Sequence, residues 1–157
     1  MPSGVRVKPA VSIPEASLEE ALDPGVFKGL AGVRLAMRRF LASSEIELSR
    51  AGITSQQYQA LLVIKAAPAN RIRMRGLAEE MLMQHNGAVQ LVDRLETAGL
   101  VDRAPSPVDK RSVLVGLTAL GEAVLDALAR RHLVAMLANE PLLAESLTRL
   151  RELAQTR

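Results

Sequence analysis

The stretch Arg75-Gly76-Leu77-Ala78-Glu79-Glu80-Met81-Leu82-Met83-Gln84-His85-Asn86-Gly87-Ala88-Val89-Gln90-Leu91-Val92-Asp93-Arg94-Leu95 decides the fold. In its second half Ala88, Leu91, Val92 and Leu95 fall at i, i+3, i+4 and i+7, one buried stripe at helical period. Asn86, Gln90, Asp93 and Thr97 occupy the opposite face, and the amides of the first two carry the paired donors and acceptors that read base edges. In the first half Leu77, Ala78, Met81 and Leu82 lie on one side of a short supporting helix. Only Met83-Gln84-His85 separates the two, the length of the tight turn in a helix-turn-helix.

Downstream, Gly99 suits the left-handed residue that ends a helix, and Leu100 opens new structure. Two apolar runs, Leu100-Val101-Asp102-Arg103-Ala104 and Ser112 to Thr118, flank the charged tip Pro105-Ser106-Pro107-Val108-Asp109-Lys110-Arg111. Val113, Val115 and Leu117 alternate as a half-buried strand requires, and the prolines keep the tip out of regular pairing. A β-hairpin wing is expected, with Arg71-Ile72-Arg73 as a possible third short strand.

Leu91-Val92-Asp93-Arg94-Leu95-Glu96, Gly99-Leu100-Val101 and Asp109-Lys110-Arg111 followed by Leu117-Thr118-Ala119-Leu120-Gly121 resemble the signature of the MarR family of winged-helix regulators. The resemblance covers roughly Val26 to Leu153. Its most specific part is the Asp-x-Arg wing tip a fixed distance before Leu-Thr-x-x-Gly. It implies a homodimer on a two-fold, inverted-repeat operator, most often a repressor released by a small-molecule signal. The implied DNA contacts are Gln84, His85, Asn86, Gly87, Val89, Gln90 and Arg94 in the major groove, with Lys110 and Arg111 on the wing. Asp109 would orient Arg111 in the narrow, electronegative minor groove. Family members often hold an aromatic or amphipathic acid between dimer helices and reading unit. Arg34, Arg38 and Tyr58 are the candidates to line such a pocket here.

The rest of the chain fits that frame. With 157 residues, 48% hydrophobic and 24% charged, it has the composition of one ordinary soluble domain. The absence of cysteine excludes disulfides, thiolate metal sites and thiol switches. No apolar run approaches the roughly 20 residues of a spanning helix, and Met1 to Leu18 lacks the apolar core of a signal peptide, so a cytoplasmic location is expected. Net charge is +3, and all but four of the 20 basic residues are arginine, the better fork for phosphate and guanine. So mild an excess fits nucleic acid and an ordinary solvated surface alike.

Residues 1–22 read as a loose arm, in which Ser17 could cap one short turn. Asp23-Pro24, an N-cap acceptor followed by proline, starts a long helix running to Gly52. Thr54-Ser55-Gln56-Gln57 is a capping box for a helix that Pro68 ends. Thr118 caps a helix through Ala138, and Pro141 starts another that reaches Gln155. The expected fold is thus mainly α, a winged helix-turn-helix over 53–118 with dimerisation helices over 23–52 and 119–157: about six helices and two or three short strands. The long helices are apolar on several faces, and pairing with a second copy would cover them.

Bland readings compete with the sharp ones. On an isolated helix Asn86 and Gln90 would be a solvated face, and it is the surrounding motif that favours DNA. His85 either meets phosphate or covers the turn. His132, with no carboxylate or histidine at ligand spacing, reads as structural, so no metal or other cofactor is expected. Met74, Met81 and Met83 read as core filler rather than an oxidation sensor. Glu79 and Glu80 are adjacent and point to different sides of a helix, so no acid/base pair, phosphate loop or nucleophile supports an enzyme. Two other classes stay open: a winged-helix protein-interaction module without DNA binding, and a small-molecule carrier.

Overall fold

The computed structural model describes residues 21–109 and 111–155. The arm, with its Ser17-capped turn, therefore lies outside the described residues except for Ala21 and Leu22. The first helix, α1, spans Pro24–Ala51: the Asp23 carboxylate accepts the Gly25 N–H at 2.6 Å, and Pro24 occupies the first turn. Gly52, at φ 69°, ends it by donating to the last turn's carbonyls, and Ile53 turns inward, its N–H on Leu48 O at 3.0 Å. Helix α2, Ser55–Ala66, opens on a reciprocal capping box: Thr54 Oγ1 accepts the Gln57 N–H at 3.2 Å, and Gln57 Oε1 accepts the Thr54 N–H at 2.9 Å. Ala67 is extended because the residue before a proline is pushed out of the helical region.

A short 3-10 turn, Pro68–Asn70, leads into β1, Arg71–Arg73. Then follow α3 (Met74–Glu80), α4 (His85–Thr97), β2 (Val101–Pro105), β3 (Val113–Leu117) and α5 (Ala119–Gln155). The sheet is antiparallel in the order β1-β3-β2, with Ile72 opposite Val115 on one side and Arg103 opposite Val115 on the other. The third strand is therefore real. Val115 is its buried centre, whereas Val113, at the wing end, is exposed.

Two expectations about elements are corrected. Among the described residues five α-helices form where about six were expected, because α5 runs unbroken for 37 residues with Pro141 inside it. Proline removes one helical N–H and crowds the preceding turn, which normally kinks or ends a helix. Here α1 packs against α5 on both sides of Pro141. Ser44 Oγ meets His132 Nε2 at 3.2 Å before it, and Gly29 and Gly32 lie against Leu150 and Ser146 after it. Tertiary packing thus holds the helix across its weak turn. Leu82 does not share the apolar side of α3 either: it is 94% exposed at φ 52°, the left-handed residue that turns the chain while Met83 N–H reaches back to Ala78 O at 3.0 Å.

The core gathers Leu61 and Ile64 of α2, Leu77 of α3, Leu91, Val92 and Leu95 of α4, and Val101 and Val115 of the wing. Leu48 from the end of α1 and Leu125 and Leu128 from the start of α5 belong to the same cluster, so the core crosses the expected segment boundaries at 52/53 and 118/119. Met74, Met81 and Met83 pack against it as fillers. Thr118 sews the joint. Its hydroxyl donates to Gly99 O at 2.6 Å and accepts the Gly121 N–H at 3.0 Å, while its N–H meets Leu100 O at 3.0 Å. Salt bridges add ties between α5 and its neighbours: Lys65 to Glu122 from α2 and Arg131 to Glu47 from α1. The Glu122 hydrogen bond raises the Lys65 pKa, and the Arg131 hydrogen bond lowers that of Glu47. Farther out, Phe27, Leu30, Met37 and Leu41 on α1 and Val134 and Leu137 on α5 stand exposed.

Candidate nucleic-acid interface and adjoining cavity

Helix α4 divides lengthwise as its sequence demands. Ala88, Leu91, Val92 and Leu95 are buried, while His85, Asn86, Gly87, Gln90, Asp93 and Arg94 are exposed and Val89 is half-buried. Gln84 is the N-cap, but its side chain makes no capping bond, which leaves the first N–H groups of α4 open toward solvent. Among the described residues the side chains of Gln84, His85, Asn86, Gln90 and Arg94 have no hydrogen-bond partner, so their donors and acceptors are free for a ligand. The lower half of the same face is different. Asp93 and Glu96 are both held by Arg103 of β2, at 2.5 Å and 2.8 Å. That guanidinium offsets half of the charge of the two carboxylates that would repel phosphate, and it ties the wing to α4.

The wing tip is tied internally. Ser106, buried, accepts the N–H groups of Val108 and Asp109 at 3.3 Å each, and its own N–H donates to Ser112 O at 2.9 Å. Asp109 Oδ1 accepts the backbone N–H of Arg111 at 3.1 Å. The carboxylate therefore acts on the backbone that carries Arg111, not on its guanidinium, which is exposed. Lys110 lies outside the described residues. Arg73, exposed where β1 runs into α3, is a further cation of this unit, expected from the sequence only as a strand residue. Its neighbours Arg71 and Arg75 are already paired, with Asp102 and Glu79.

Above the reading unit a cavity of about 500 Å³ opens between α1, α2 and α5, lined among others by Phe40, Ser44, Tyr58, Leu62, His132 and Met136. Tyr58 thus lies where a ligand pocket was expected. Arg34 and Arg38 do not: both are exposed on α1, and among the described residues the cavity lining contains no Asp, Glu, Lys or Arg. Burial raises the pKa of the Tyr58 hydroxyl. His132, 5% exposed, stands edge-on to Tyr58 with ring centroids 4.4 Å apart and to Phe40 at 6.2 Å. No local signal could have revealed this, since Ser44 and His132 are 88 residues apart.

Among the described residues no helix is long and apolar enough to cross a membrane. The sequence model of the MarR family matches residues 51–112, from the end of α1 through the wing tip. The multiple antibiotic resistance protein MarR of Escherichia coli is 35% identical over 79 residues, which is 50% of this chain and 54% of that protein. The chain thus spans about half the length of that curated relative. Whole-fold likeness is broader. AbsC, a MarR family transcriptional regulator from Streptomyces coelicolor, superposes with a TM-score of 0.67 at 23% identity over 85% of this chain and 91% of its own. Sco3205, a MarR family regulator from the same organism solved in complex with DNA, does so with a TM-score of 0.63 at 28% identity over 81% of each chain. The winged helix-turn-helix between two long packed helices is similar to the fold of these MarR family regulators, and the family's own sequence pattern runs through residues 51–112 of this chain.

Proposed function

We propose that the protein is a homodimeric transcription regulator of the cytoplasm, acting as a repressor, which binds an inverted-repeat operator in double-stranded DNA and is released by a small molecule. The observation that carries the reading is the outer face of α4, where five polar or charged side chains from Gln84 to Arg94 are without partners among the described residues while the acidic pair below them is held, and half offset in charge, by Arg103. An ordinary solvated helix has no need to bind its carboxylates to a neighbouring strand and leave its amides bare. Asn86 and Gln90, one turn apart, would take base edges in the major groove, and Arg111 on its tied turn would enter the minor groove.

Dimerisation is supported by the exposed apolar residues Phe27, Leu30, Met37 and Leu41 of α1 and Val134 and Leu137 of α5, which a second copy would cover. Two copies related by a two-fold axis would present their α4 helices to successive major grooves. Selection from a random duplex pool should then recover a palindrome with half-site centres about 10 base pairs apart. Recovery of direct repeats, or of no sequence at all, would refute the proposal. The cavity between α1, α2 and α5 supports the ligand-responsive part, because a molecule bound there touches both the long helices and the first helix of the reading unit.

A further inference from the structure

We infer that Asn86-Gly87, in the first turn of α4, is a self-modifying site: the backbone nitrogen of Gly87 attacks the Asn86 side chain and converts it to aspartate and isoaspartate, which weakens the hold of α4 on DNA. The conversion follows from the geometry of this turn alone, and its effect on binding rests on the operator-binding reading above. The attacking nitrogen must be unhindered, free of a hydrogen bond and able to swing onto the side-chain carbonyl carbon. Asn86 and Gly87 are both exposed, and a Cβ at Gly87 would meet nothing closer than Met83 Sδ at 3.8 Å, so no neighbour stands in the way. The Gly87 N–H is one of those at a helix start without an intrahelical acceptor. Backbone bonding into α4 begins with Ala88 N–H on Gln84 O at 3.1 Å, and the Gln84 side chain caps nothing.

A closed helical turn holds the nitrogen and the side-chain carbon in the wrong relative orientation, so the turn must open. This one is weakly held. It has no capping bond, no acidic side chain to complement the helix dipole, and a glycine at its third position. The steps balance with water as the only co-reactant. The Gly87 nitrogen gives up its proton to solvent base and bonds to Asn86 Cγ; the Cγ–Nδ2 bond breaks, and Nδ2 takes up a proton and leaves as ammonia. Water then splits the five-membered imide at one of its two carbonyls. Opening at Cγ gives aspartate; opening at the Asn86 backbone carbonyl gives isoaspartate, whose main chain runs through Cβ and Cγ. Either product puts a carboxylate where an amide faced the phosphates, and isoaspartate also breaks the first turn of α4. The other two asparagines lack this arrangement. Asn70 precedes Arg71, whose N–H is held by Pro68 O, and Asn139 lies inside α5 with its amide donating to Ala135 O at 2.9 Å.

The test keeps the whole chain in warm, mildly alkaline buffer for days, with samples peptide-mapped by mass spectrometry for the exchange of NH₂ for OH and titrated against duplex DNA. Asn86 should convert at least about tenfold faster than Asn70 or Asn139, into two products of one mass. Gly87→Ala hinders the nitrogen and strengthens the turn, and should slow the conversion by about tenfold or more. Asn86→Gln, in which attack would have to close a larger ring, should stop it at this position. Duplex affinity of the aged parent should fall with the converted fraction, converted chains keeping no more than about one-tenth of the fresh affinity. Aged Gly87→Ala should keep whatever affinity it had when fresh. Conversion of Asn86 no faster than that of the other two asparagines, or equally fast in Gly87→Ala, overturns the inference, and so does full conversion with undiminished duplex affinity. A chain that converts as described but binds no duplex even when fresh refutes the operator-binding reading and leaves the modification site standing.

Discussion

The guanidinium of Arg103 lies 2.5 Å from the carboxylate of Asp93, so the second strand of the wing is fastened directly to the helix beside it. The same side chain reaches Glu96 at 2.8 Å, one turn farther along. Ion pairs this exposed contribute little to folding, about 1 kcal/mol or less. Their consequence for binding is larger, since removing the cation uncovers two carboxylates on the face that would meet phosphates.

Arg103→Met, which keeps the apolar stem, should therefore leave the melting temperature within a few degrees of the parent. Duplex affinity should fall by about tenfold, on the order of 1.4 kcal/mol. Thermal melts and duplex titrations on the same samples check this. A variant that melts far lower, or that binds as the parent does, would show that Arg103 is not the link described.

Two glycines, Gly121 of α5 and Gly87 of α4, separate packing from contact. At Gly121 an added Cβ would stand 1.9 Å from the carbonyl oxygen of Leu100, the atom that also receives the Thr118 N–H. Gly121→Ala must push α5 off the core and should cost more than the ~1–3 kcal/mol of ordinary overpacking. At Gly87 the nearest atom is Met83 Sδ at 3.8 Å, and alanine is the better helix former by ~1 kcal/mol. Gly87→Ala should raise the melting temperature by ~2–4 °C and, if the backbone of α4 approaches DNA there, weaken binding at the same time. Unfolding and duplex titrations of both variants test the contrast; a stabilised Gly121→Ala would be fatal to it.

The capping box gives a purely structural check. Thr54→Ala leaves the Gln57 N–H without its acceptor and should cost about 1 kcal/mol by denaturant unfolding. Thr54→Ser should cost much less, since the hydroxyl is retained. Equal losses would mean that the methyl group, not the cap, matters.

What the sequence made legible follows from the range over which each feature is determined. The α4 stripe, the Asp23-Pro24 start, the capping box and the Gly52 and Gly99 ends depend on residues within a turn of one another, and all of them formed. Pro141 was misjudged because its local penalty was outweighed by α1 packing on both sides, a fact about residues a hundred positions away. Leu82 was placed on a helical face by its period, whereas the turn required a left-handed residue there. The cavity polar groups, and the exclusion of Arg34 and Arg38 from it, depend on how three helices meet. Arg103 carried no signal for the same reason: its partners are set by how β2 folds back along α4, ten and seven residues away.

The last prediction separates the wing from α4. Asp109 holds the Arg111 backbone at 3.1 Å, and Ser112 donates to Asp109 O from both its N–H and its hydroxyl, at 2.9 Å and 3.1 Å. Arg111→Ala should weaken binding to all duplexes, most for sites with A·T-rich flanks, because a narrow groove concentrates negative potential on whatever cation enters it. Asp109→Ala should imitate this only in part: the guanidinium remains, on a turn that has lost one tie. Gln90→Ala should behave differently. If its amide reads a base edge, the loss should be about 1–3 kcal/mol on the selected site and much smaller on scrambled duplex, so that preference itself relaxes. Titrations of the three variants against matched and scrambled duplexes at one salt concentration decide between these patterns. Equal losses on both duplexes for Gln90→Ala would remove α4 as the reader, and no loss on either for Arg111→Ala would remove the wing from the groove.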